Sequence, residues 1–64
     1  MNRTQLKNFN KLWKHLPPGL NDFGREEYIL KIAPLFHLTE EVLQDVYQNV
    51  VYNKEKDKFI KRDK

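Results

Sequence analysis

The residues that could do chemistry in this chain are few, and most of them are simple charges. His15 and His37 are the only histidines, and neither has a partner at metal-ligand spacing. There is no cysteine, so neither a thiolate site nor a disulfide framework is available. Glu26/Glu27 and Glu40/Glu41 are paired carboxylates. Each pair falls at the start of an expected helix, where complementing the helix dipole is reason enough for acid. His15 reads as a residue at a helix end, and His37 as a turn residue tolerating an unusual backbone angle. No nucleophile motif, glycine-rich phosphate loop or calcium-loop spacing occurs in the sequence. The expectation is a chain that binds rather than catalyses, without metal or cofactor.

Charge is the remaining chemistry, and it is unevenly spread. Residues 1–20 carry +4 with no acid, residues 21–47 carry −4, and residues 48–64 carry +3. Arg3, Lys7, Lys11 and Lys14 recur three to four apart and so line up as a cationic stripe on one helix face. Together with Lys58, Lys61 and Arg62 they are the expected phosphate contacts, since such cations dominate affinity for nucleic acid. The same pattern also fits a solvated helix face and a solubilising tail. The acidic centre, with Glu40, Glu41 and Asp45, suits a protein of opposite charge. Tyr52 and Phe59 flank a charged tail and are the expected aromatic anchors of that contact. Trp13 and Tyr47 lie on apolar stripes and are expected in the core.

Helices must position these groups, and the apolar spacing provides them. Thr4 can cap a first helix reaching about Leu16, with Leu6, Phe9, Leu12, Trp13 and Leu16 on its inner side. Pro17-Pro18-Gly19 ends it. Leu20 and Phe23 are expected as loop anchors under the bundle. Asn21, Asp22 or Gly24 can cap a second helix, whose stripe runs through Tyr28/Ile29, Ile32/Ala33 and Leu35/Phe36. Pro34 predicts an end or kink there, because proline cannot donate to the helix ladder. Thr39 opens a third helix: its hydroxyl can accept from an orphan amide, and Glu40 and Glu41 complement the dipole. Leu38 and Leu43 take the hydrophobic-staple positions around that cap.

Two short helices joined by a tight turn make a helix-turn-helix unit. The span Ile29–Asn49 resembles the helix-turn-helix of DNA-binding proteins, with Ala33 at the small inner position and Ile32, Phe36, Leu38, Leu43 and Val46 at buried ones. It departs from that pattern at His37, where those families favour glycine, and at Pro34. Arg25 to Leu43 is also similar to a helical segment of bacterial DNA primases, although the metal-binding and nucleotidyl-transfer motifs of those enzymes are absent here. The resemblance implies a replication-type or regulatory fragment working on DNA, not primase activity. Its second helix would present Gln44 and Gln48, adenine-reading residue types, to the major groove.

The C-terminal segment admits two readings. Val50-Val51-Tyr52 and Lys58-Phe59-Ile60-Lys61 could pair as a wing-like hairpin. Alternatively Val50 continues the third stripe, and Asp57 with Lys61 at i,i+4 favours a helix running into the tail. The expected fold class is mainly α: a compact three-helix domain over residues 1–53 containing the helix-turn-helix, with residues 54–64 as a basic tail or wing. The expected function is binding in DNA transactions, in replication or transcription regulation, with DNA and/or a larger protein as partner. The alternative is a protein-protein inhibitor or adaptor that never touches nucleic acid. No apolar run reaches membrane-spanning length, so a cytoplasmic protein is expected. Abundant Asn and Lys fit an AT-rich genome, such as that of a phage or its bacterial host.

Overall fold

The computed structural model describes residues 1–62; positions 63 and 64 of the expected tail lie outside the described residues. The fold is mainly α, with helices α1 (Arg3–Lys14), α2 (Asp22–Ile32) and α3 (Glu40–Asn49) followed by a hairpin of β1 (Val50–Asn53) and β2 (Lys58–Lys61).

Helix α1 is capped two residues earlier than expected. Asn2, not Thr4, is the N-cap: its Oδ1 accepts from the Gln5 amide at 2.8 Å, and Gln5 Oε1 accepts from the Asn2 amide at 2.9 Å. This reciprocal box satisfies two orphan donors at once. Of the three caps open for α2, Asn21 takes the role, accepting from the Gly24 amide at 2.7 Å. A β-carbon on Gly24 would sit 3.1 Å from that same Asn21 oxygen, so the tight cap explains the glycine.

Pro34 marks the end of α2. The helix stops at Ile32, and Ala33–Phe36 form a separate 3₁₀ turn with the proline in its first positions, where a missing N–H costs nothing. His37 then adopts a left-handed backbone with φ of 59°. Its amide donates to Pro34 O at 3.2 Å, and the Leu38 amide donates to Ala33 O at 3.1 Å. These are the paired bonds of a Schellman cap, with buried Ala33 and Leu38 on its apolar side. His37 therefore does the work of the glycine that the turn would otherwise take. Thr39 caps α3 as expected, its Oγ1 accepting from the Val42 amide at 3.2 Å.

The continued-helix reading of the C-terminal segment is overturned. Val50 is already extended (φ −122°, ψ 160°), and β1 pairs antiparallel with β2 in the register Val50↔Lys61 to Asn53↔Lys58. The hairpin thus begins at Val50, before the expected boundary at 53. Local chemistry closes it: Asn53 Oδ1 accepts from the Lys56 amide at 3.0 Å, and Asp57 takes a positive φ of 51°. Asp57 accepts from the Tyr52 hydroxyl instead of pairing with Lys61.

The core gathers Phe9 and Leu12 of α1, Ile29 of α2 and Ala33 just after it, Leu38, Leu43 and Val46 around α3, and Val50 of β1. Burying each large side chain contributes roughly 1.5–3 kcal/mol. Two expected apolar contacts do not form, and a third is partial. Phe23 is exposed rather than anchored beneath the bundle, Leu35 points outward, and Tyr47 is only partly covered by an edge contact with Phe9 at 6.3 Å. No charged or polar side chain is buried among the described residues.

Candidate nucleic-acid interface

The site is built from opposite ends of the chain. Asn10 stands in the middle of α1, a position where Asn is a weak helix former. Its side chain is spent on β2: Oδ1 accepts from the Phe59 amide at 2.7 Å, and Nδ2 donates to the Phe59 carbonyl at 3.0 Å. This amide clamp satisfies both backbone groups at the free edge of the strand. Phe59 is drawn in with it, its ring 5.3 Å from Phe9 and 4.8 Å from Trp13, both in edge-on geometry. Phe59 is therefore half-buried as the anchor of β2 on α1. Tyr52 stays exposed and leans on Phe59 at 5.3 Å.

Once β2 is clamped to α1, their cations share a seam. Arg3, Lys7 and Lys58 border a groove of about 340 Å³ floored by Leu6, Phe59 and Ile60. Arg3 and Lys61 border an adjoining hollow of about 350 Å³ with Met1, Asn2 and Leu6. Lys11 and Lys14 extend the exposed stripe along α1 beyond the grooves, and Arg62 is exposed where its amide donates to Asn49 O at 2.7 Å. Among the described residues the ion pairs are Met1–Asp45 and Arg25–Asp22, so none of these cations is neutralised by a direct pair.

The chain matches no family model, no curated protein and no solved structure.

Other expected site residues lie apart from the seam. Gln44 and Gln48 are exposed on α3 but line neither basic groove, and α3 opens on Glu40 and Glu41. Asp45 is engaged within the chain: it accepts from the N-terminal amine and from Asn49. The hydrogen bond from that amine holds its carboxyl below the ordinary value, with Lys61 adding a smaller attraction. Asp45 thus ties the residue before α1 to α3 while its side chain stays partly exposed. His15 lies edge-on to Phe36 at 5.2 Å, and His37 shapes its turn. No three His, Asp or Glu side chains converge as metal ligands among the described residues. No described helix is long and apolar enough to cross a membrane.

Sequence reading missed Asn10 and the floor of the seam. A short polar residue next to Phe9, on the inward side of a helix, was the available signal.

Proposed function

We propose that this protein is a small, non-catalytic binding protein acting in cytoplasmic DNA transactions, holding nucleic acid by its phosphates along the α1/β2 seam. The observation that carries the reading is the juxtaposition of Arg3 and Lys7 with Lys58 and Lys61, without direct ionic partners among the described residues, on two elements far apart in sequence. Cations arranged along one groove bind a polyanion by releasing its condensed counter-ions. The acidic start of α3 argues against insertion of that helix into a major groove, because Glu40 and Glu41 would meet phosphate. Contact through the helix-turn-helix-like pair is therefore secondary to contact through the basic seam, and recognition is of backbone more than sequence.

A salt titration of binding to non-specific duplex DNA tests this. Four phosphate contacts at roughly 0.9 each give log K against log salt a slope of about −3 to −4. Lys7→Gln with Lys58→Gln should shallow that slope by about 2, one per lost contact. Both lysines are exposed, so the variant keeps its helical circular dichroism. Absence of binding at low salt, or a slope unmoved by the substitutions, overturns the reading in favour of an adaptor that contacts protein alone.

A further inference from the structure

A second concave surface lies between α2, the 3₁₀ turn and α3, and it shares no lining residue with the basic seam. It is an open groove of about 800 Å³, floored by Leu30, Pro34, Leu38 and Leu43, with Glu40 on its rim. Of its lining Leu30 is 52% exposed, and Leu35 and Phe23 on the same α2 to 3₁₀ segment are 77% and 69% exposed. Helix α2 is apolar on two sides. Ile29 faces the core, while Phe23 and Leu30, seven apart and so on one line of the helix, face solvent. A helix apolar on two sides in so small a domain has one side awaiting cover.

The charge around the groove selects what covers it. Glu40 lines the groove and Glu41 follows it at the start of α3. Glu27 lies one helical turn before Leu30 on α2, and Lys31 is the opposing cation on that helix, while Glu26 faces a separate hollow with Trp13, Ile29 and Tyr47. Arg25 is turned away, its guanidinium 5.2 Å from the Trp13 ring centre. A second copy of this chain is a poor fit. Phe23, Leu30 and Leu35 of a second copy sit on the same acidic segment, so acid would meet acid there. Its exposed Val51 and Tyr52 belong to a four-residue strand of the hairpin, not to a helix that could lie along the groove.

We propose that the groove receives a basic amphipathic helix from another protein, its leucine-like side chains resting on Leu30, Pro34, Leu38 and Leu43 and its Lys or Arg pairing with Glu27 and Glu40. This is the helix-in-groove mode, with apolar anchors three to four apart for affinity and flanking charge for selection. It does not depend on nucleic-acid binding by the seam.

The probe is a designed helix of Leu and Lys, with Leu every three to four positions, and its counterpart with Glu for Lys. Each is titrated into the labelled full chain and followed by amide chemical shifts. The basic helix should move the amides of Leu30, Leu38, Glu40 and Leu43, and the acidic one should not. Leu30→Asn, a change at a largely exposed position, should weaken binding by roughly tenfold or more, as for an interface anchor. Glu27→Gln with Glu40→Gln should weaken it and flatten its salt dependence. Lys7→Gln with Lys58→Gln should not weaken it, which separates this result from failure of the DNA reading. Equal binding of both helices, or shifts spread over the surface and indifferent to Leu30→Asn, overturns the proposal. Groove shifts that grow with protein concentration and no added helix also overturn it, because they make a second copy the occupant.

Discussion

Two hollows of similar kind are made in opposite ways. The acidic groove is assembled by neighbours: α2, the 3₁₀ turn and α3 follow one another, and each junction is fixed by a bond reaching three to five residues. The basic seam is assembled by strangers, with Asn10 holding Phe59 across a separation of 49 residues. Local closure costs little chain entropy, whereas distant closure must be supported by packing and hydrogen bonds. Here that support is the aromatic cluster of Phe9, Trp13 and Phe59 together with one side-chain amide.

Substitutions can separate the two. Phe9→Ala has the largest expected effect, since the ring is buried and touches Trp13, Tyr47 and Phe59. A loss of about 3–5 kcal/mol rivals the whole stability of a domain this size, so both hollows should vanish in one thermal transition at lower temperature. Asn10→Ala is more selective. It strips the Phe59 amide and carbonyl of their side-chain partners at a cost of about 1–3 kcal/mol. Amide exchange in β2 should accelerate while α3 stays protected, and DNA affinity should fall without loss of helix; uniform acceleration would mean the two regions are one cooperative unit. Thr39→Ala should cost about 1 kcal/mol, read in a denaturant melt, through loss of the α3 cap. His37→Gly should move the midpoint the other way by about 0.5–1 kcal/mol, because glycine takes a positive φ without strain.

The smallest effect is electrostatic and joins the two regions. Asp45 has its folded carboxyl held below the ordinary 3.8, so its contribution is present above that value and lost as pH falls through the lowered one. Asp45→Asn should therefore flatten the acid side of the melting-temperature profile without changing it near neutrality in slope.

How much of this was readable from the sequence follows the same division. Thr39, Leu38/Leu43 and the stop near Pro34 are local signals, and each stands where spacing and capping chemistry put it. The Asn2 cap was overlooked because Thr4 is also a good capping residue, and the choice rests on Gln5 reaching back. The hairpin competed with a helix over Val50–Lys61, as both patterns are satisfied by the same β-branched and charged residues. What decides it is the docking of Phe59 on α1, a long-range term that no local window contains. For that reason the cationic stripe of α1 could be read, while its meeting with Lys58 and Lys61 could not.

The amide of Asn10 is in effect a hasp across the molecule's only two-stranded part among the described residues. A hairpin that swings clear of α1 carries Lys58 and Lys61 away from Arg3 and Lys7, leaving two half-surfaces where there had been one. On the proposed reading, a phosphate chain lying across the seam would bridge both halves and so resist that swing. Occupancy and closure then reinforce each other, and the least locally determined joint of the fold becomes the one that a ligand would tighten most.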